Sequence, residues 1–418
     1  MDATNPRSQL TDLPVELLFL IFRQAHCLQP QSRIYSTLRL VSRALDRVAT
    51  QLVFESFMVT ITPLTSSDTL GILHTIFETH AHLVRALTIR NTISRKCNVE
   101  MQTISRRAQH TIRQGFLRCT KIRSLACLGS HGMFSSRSWL SLPAPANLTS
   151  LAFTPNKGST DLSYCLLPLK DSLQSLEIIN WRPQHDNPST FHLPTSLPHL
   201  TDLTLTECYP PSPHMTKLFS RIITLSSPQN TDPVVPLRSL TIMPESPTKF
   251  SSVFPRALAD IVSILATRQF GSHLKTLCIN SPRGNDVDAT IPIALLRLCP
   301  NLVEFTYLCD RVHESFLNSL PSTLAVLRLA PCGYPTTSIS SHVNILSPTS
   351  LARWLRDGPR RKRSAPGLRS VTVDVSGMNV LTMLQILEGG LRFARVPAAY
   401  STCIDICLEG ETIEVTLR

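Results

Sequence analysis

Ten times along this chain an apolar residue is followed, three positions later, by an apolar residue, a small or polar one, and a second apolar one. The series opens with Val84-Arg-Ala-Leu87-Thr-Ile89, Ile122-Arg-Ser-Leu125-Ala-Cys127, Leu148-Thr-Ser-Leu151-Ala-Phe153, Leu173-Gln-Ser-Leu176-Glu-Ile178 and Leu200-Thr-Asp-Leu203-Thr-Leu205. It goes on through Leu237 to Ile242, Leu274 to Ile279, Leu302 to Tyr307, Leu324 to Leu329 and Leu368 to Val373. The alternating second half of each unit has strand periodicity. A loop with Pro, Asn or Gly comes before, such as Pro198-His199, Pro300-Asn301 or Gly367. From Ile122 to Leu200 the steps are 26, 25 and 27 residues, and near Leu237 they lengthen to about 37, which implies loop insertions. One short strand cannot bury its own apolar face, so stacked neighbours are expected to form a parallel sheet over a continuous core. Leu70 to Phe77, Ala257 to Leu265 and Ile293 to Leu298 read as helices between strands. A non-repetitive α/β domain of βαβ units is the competing architecture.

The two ends differ from the middle. In Leu10 to Phe57, Thr11 and Asp12 give the polar and acidic character a helix start favours, and Pro14 suits a first turn. Val15 to Phe22 is apolar except at Glu16, and a second helix carries Leu38, Val41, Leu45 and Val48 at spacings of three and four. Two short helices with this much apolar surface exceed what they can bury between themselves, so the surplus reads as a docking face. The alternative is that they only cap the large domain. At the other end, Ile404-x-Ile406-x-Leu408 and Ile413-x-Val415-x-Leu417 flank Glu409-Gly410-Glu411, a hairpin that would close the last sheet edge. Insertions are expected at 207–236, rich in Pro and Ser, and at 330–367. Within the second, Arg360-Arg361-Lys362-Arg363 reads as a solvated loop held extended by like charges, with a nuclear-import or phosphate-binding patch as the sharper option.

Leu13-Pro14-x-Glu16-Leu17-x-x-x-Ile21-Phe22, then Leu38-Arg39-Leu40-Val41-Ser42-Arg43, then Ala49-Thr50-x-Leu52-Val53-Phe54, resembles an F-box of the filamentous-fungal type. The resemblance covers about the first tenth of the chain. The segment His26 to Tyr35 lacks the usual Asp-Leu pair, and no Trp follows Val41-Ser42-Arg43. The repeats resemble the degenerate leucine-rich repeats that often follow an F-box, and their spacing lies within that family's range. At the turn position, usually Asn or Cys, only Cys208 has the proper offset, while Asn91, Asn180 and Asn280 come early. The resemblance implies an α+β / α/β solenoid: a three-helix F-box over residues 8–58 and an irregular leucine-rich-repeat-like horseshoe with a parallel sheet over 59–418. It implies docking on a Skp-type adaptor of an SCF cullin–RING ubiquitin ligase through Leu13, Pro14, Leu17, Ile21, Phe22, Leu40, Val41 and Arg43. Specificity for a protein substrate is then expected at variable strand positions such as Arg238, Lys275, Glu304 and Arg328.

Composition narrows the chemistry. Glycine, 14 of 418 residues, is too scarce for Gly-rich phosphate cradles, and the nucleophile-elbow, dinucleotide, Walker and H-E-x-x-H patterns are missing. The cysteines form no paired C-x-x-C knuckles, and Cys403 and Cys407 lie in a strand-like segment. His74, His80 and His82 read as ordinary surface or core histidines. A non-catalytic chain without metal or cofactor is the expectation. Cys127, Cys278 and Cys299 sit in apolar segments as buried free thiols do, and MDATNPRSQL has no leader-like apolar run, so a cytoplasmic or nuclear location is expected. The net charge of +12 keeps open a second function, a basic scaffold for nucleic acid or an acidic protein.

Overall fold

The structure is a computed structural model that describes residues 13–14, 17–18, 20–22, 43–93, 99–129, 147–155, 162, 166–181, 197–208, 218, 237–243, 258–259, 261–263, 265–266, 270–280, 290–308, 312–329, 348–374, 392–393, 403–409 and 412–417. The chain forms two compact units, Met1–Thr154 and Pro155–Arg418. Of the described strands, eleven, four in the first unit and seven in the second, run in parallel ladders, with helices described in several of the crossovers. This is an α/β fold. All ten strands expected from the repeated pattern are present.

In the first unit, helix α1 (Arg43–Glu55) runs straight into β1 (Ser56–Ile61), so the expected division at 58/59 falls inside a strand. β1 was not anticipated, although Phe57, Val59 and Ile61 alternate as a strand should. Helix α2 (Ser67–His80) starts where the Ser66 side chain accepts the Thr69 N–H, and it buries Leu70, Leu73 and Phe77 along one face. β2 (Ala86–Asn91) follows, then helix α3 (Val99–Arg118), β3 (Ser124–Gly129) and β4 (Ser150–Phe153). The sequence reading missed α3, whose Ala108, Ile112 and Phe116 recur every four residues and are buried. α2 and α3 come together at Gly115, where an added Cβ would sit 2.2 Å from the Phe77 ring. Parallel register stacks Leu87, Leu125 and Leu151, with Ile89, Cys127 and Phe153 as the next layer.

The second unit repeats this arrangement over β5 (Ser175–Ile179), β6 (Asp202–Thr206), β7 (Ser239–Met243) and β8 (Thr276–Asn280). Helix α4 (Ile291–Leu298) precedes β9 (Glu304–Leu308) and β10 (Val326–Leu329). One core layer is Leu176, Leu203, Leu240, Leu277, Phe305, Leu327 and Val371, each opposite the next. Leu173, Leu200, Leu237, Leu274, Leu302, Leu324 and Leu368, which lead the strands, are buried too. The carbonyl just before one strand accepts two N–H groups from the next: Arg238 O takes Lys275 N at 2.8 Å and Thr276 N at 3.0 Å, and Lys275 O takes Val303 N and Glu304 N at the same distances. This repeated fork and the buried leucines together fix the register.

The interval 330–367 is less of a loop than expected. It holds α5 (Pro348–Arg356) and α6 (Gly358–Ser364), which precede β11 (Ser370–Asp374). The Arg360–Arg363 block is therefore helical and not extended. Pro359 in the first turn suits a helix start. Arg361 turns inward, 4% exposed, and donates to Leu355 O at 2.6 Å, while Lys362 and Arg363 stay in solvent. Burial pushes the Arg361 guanidinium below its usual pKa. The expected terminal hairpin is present: β13 (Cys403–Glu409) pairs antiparallel with β11 and with β14 (Thr412–Leu417), and β12 (Arg392–Phe393) lies along β14. The segment Ala257 to Leu265 is helical at its described residues 258–259, 261–263 and 265. The Pro- and Ser-rich interval 209–236 lies, except for Leu218, outside the described residues.

Candidate functional site

The N-terminal apolar run divides its side chains between two directions. Pro14 O accepts Leu17 N at 3.0 Å and Leu18 N at 3.1 Å, which starts a helical turn, and residues 17–18 and 20–22 are helical. Leu18 (0% exposed) and Phe22 (7%) pack with Leu45, Val48 and Ala49 of α1, and Leu13, Leu52 and Val53 flank this cluster. Successive helical residues are rotated by about 100°, so the neighbours of Leu18 and Phe22 point elsewhere. Leu17 is 46% exposed, Leu20 60% and Ile21 44%. Their spacing of three and four puts all three on one face. On α1 the exposed positions Arg43, Arg47 and Gln51 are polar and follow one another at four-residue intervals.

Of the eight residues expected to dock a partner, Pro14, Leu17, Ile21 and Arg43 are exposed and Leu13 is half-buried. Phe22 belongs to the buried cluster, because it lies one turn beyond Leu18 and shares its inward face. Leu40 and Val41 lie outside the described residues. Leu20 was not singled out from the sequence. Its position three after Leu17 was the available signal.

The four candidate substrate residues lie on or just ahead of four consecutive strands of the second unit. Arg238 and Lys275 are both exposed, at equivalent points just ahead of β7 and β8, where the carbonyl fork makes them ladder neighbours. Glu304 and Arg328 pair diagonally across β9 and β10, with Arg328 Nη2 3.4 Å from Glu304 Oε1. Around that pair the non-core face carries short polar groups: Thr241, Cys278, Thr306 and Thr372 stand in one cross-strand row with Arg328. The Cys278 thiol is pushed up chiefly by burial and then by Glu304, which outweigh the opposing influence of Arg328 and a hydrogen bond with Thr306. A thiol in that state is a poor nucleophile at neutral pH.

Other chemistry is sparse on the described surface. Among the described residues no group of three His, Cys, Asp or Glu is placed to hold a metal ion. Cys119, Cys127, Cys208, Cys278 and Cys299 are free thiols. No helix among the described residues is long and apolar enough to cross a membrane. The first unit's apolar helix face and the second unit's mixed polar strand face are both suited to contact with a macromolecule. No protein-family model matches the chain, and no curated protein matches it.

Proposed function

We propose that this chain is the substrate-receptor subunit of an SCF-type cullin–RING ubiquitin ligase. The N-terminal helices dock on a Skp-type adaptor, and the leucine-rich-repeat-like strands hold a protein substrate. The observation that carries this reading is the exposure of Leu17, Leu20 and Ile21 on one helical face, beside an already filled cluster at Leu18 and Phe22. Single exposed apolar residues are common on soluble proteins, but three on one helical face form a patch that calls for a partner. Such a receptor accelerates ubiquitin transfer through proximity. It holds the substrate lysine near the loaded conjugating enzyme and contributes no reacting group.

Co-expression with a Skp-type adaptor followed by size-exclusion chromatography tests the reading. The intact chain is expected to co-elute with the adaptor, and Leu17→Asp with Ile21→Asp to elute alone while keeping its circular dichroism spectrum. Co-elution unaffected by the double substitution sinks the assignment.

A second function draws on the net charge of +12 and on the exposed, adjacent Arg238 and Lys275: a scaffold for nucleic acid or an acidic protein. Salt separates the two. Phosphate-backbone binding falls steeply between 50 and 200 mM salt, whereas docking through apolar side chains changes little.

A further inference from the structure

Between α2 and α3 an open cleft of about 490 Å³ is lined by Ser67, Leu70, Gly71 and His74 on one helix and by Arg106, Arg107, His110 and Thr111 on the other. No carboxylate lines it. The acid one turn below, Glu78, is engaged by His74 at 3.3 Å and by Arg118 at 3.0 Å, so its charge is already countered. Asp68 lines an adjoining groove, which shares Ser67 and Gly71 with the cleft and is otherwise bounded by Phe54, Ile72 and His80 among others. Two guanidiniums, the His110 imidazole and two hydroxyls therefore meet at one concave spot, a set of donors with a positive balance, while His74 lines the same spot with its Nε2 engaged by Glu78.

The floor of this cleft is itself unusual. Gly71 lies inside α2, where glycine is the least favourable residue after proline. Packing does not require it there, since an added Cβ at Gly71 would have nothing within 4 Å, whereas at Gly115 it would meet the Phe77 ring at 2.2 Å. Gly71 lines this space without occupying any of it, and a side chain of several carbons there would project into it. Arg106 and Arg107 are exposed, so their forked donors are free of tertiary packing.

We propose that the α2–α3 cleft is a binding site for a phosphate monoester. Arg106 and Arg107 supply charge-assisted hydrogen bonds, His110 and Thr111 supply further donors, and Gly71 provides room for the group. The ester comes either from a phosphorylated side chain of a partner protein or from a small free phosphate compound. The site does not depend on adaptor docking, because none of its residues belongs to the Leu17–Leu20–Ile21 face.

Calorimetric titration of the full chain with a phosphoserine hexapeptide, its unphosphorylated twin and inorganic phosphate tests the proposal. The phosphopeptide is expected to bind and its twin not to bind. Arg106→Ala with Arg107→Ala is expected to weaken binding at least about tenfold, as loss of a charge-assisted contact does. Gly71→Leu is expected to weaken it similarly by filling the cleft, with Gly71→Ala as the milder variant if leucine perturbs the helix. Phosphopeptide binding much tighter than that of phosphate identifies a protein source, and equal binding identifies a small ester. Absence of binding to all phosphate probes, or equal binding by intact and double-arginine chains, overturns the proposal. So does tighter capture of a single-stranded oligonucleotide than of the phosphopeptide, lost in the same double variant, which would assign the cleft to nucleic acid.

Discussion

Where β5 and β6 end, the backbone makes the same left-handed turn twice, at Asn180 (φ 56°) and at Glu207 (φ 54°). The Asn180 N–H reaches Thr206 O, and the Glu207 N–H reaches Met243 O, so both residues close the ladder toward the next strand. Asparagine tolerates this conformation, while a glutamate there costs about 1–2 kcal/mol. Glu207→Gly is therefore expected to raise the stability of the second unit by about 1 kcal/mol in chemical denaturation, and an unchanged or lower midpoint would contradict the strain. Next to it, the Cys208 thiol donates to Ile178 O at 3.1 Å and to Thr206 O at 3.3 Å, at the turn position that the sequence pattern had singled out. Burial raises the thiols of Cys119, Cys208 and Cys299 from 9.0 to about 12. Because the folded chain holds these protons longer than the unfolded one, their contribution is complete below pH 9 and is lost as pH rises from 9 toward 12. Iodoacetamide at pH 8 is expected to leave all three unlabelled in the folded chain and to label them after unfolding, as mass spectrometry of the peptides would read.

Among the elements, the N-terminal helical residues show what a pattern can and cannot announce. The apolar run from Val15 to Phe22 reads as a helix with more apolar surface than one partner covers, yet that surface does not say which side faces α1. The cluster with Leu45, Val48 and Ala49 settles it in favour of Leu18 and Phe22. Leu18→Ala is accordingly expected to destabilise the first unit by about 2–5 kcal/mol. Leu17→Ala, one residue earlier, should change stability by no more than about 0.5 kcal/mol. Thermal denaturation of the pair checks this, and equal losses would remove the distinction between the two faces. Helix α3 was written plainly enough in its four-residue recurrence, but the polar residues between those positions hid it and it was not singled out from the sequence. Helix α6 failed for another reason: a run of four cations suggests repulsion and solvent, and only the carbonyl of Leu355 makes an inward guanidinium acceptable.

For the molecule as a whole, a sheet built from parallel strands must end somewhere. In the second unit β11 is paired on its outer side by β13, and Arg369 O also accepts Leu408 N at 2.8 Å. A chain cut after residue 402 loses β13 and β14 and leaves the β11 edge with unpaired N–H and C=O groups. It is expected to self-associate, and light scattering that still gave a monomer would show that the hairpin does not protect this edge.

The sequence by itself determined the ten strands of the repeated pattern and, within each unit, the register in which neighbours oppose like positions. The apolar positions recur with period two inside each strand, and a parallel neighbour buries them only when like positions are opposed. The tertiary structure alone decided which helix face stays exposed at the N-terminus, how α2 and α3 meet at Gly115 and open at Gly71, and why Arg361 turns inward. Each of these depends on a residue from another element arriving alongside, and local periodicity carries no record of that neighbour.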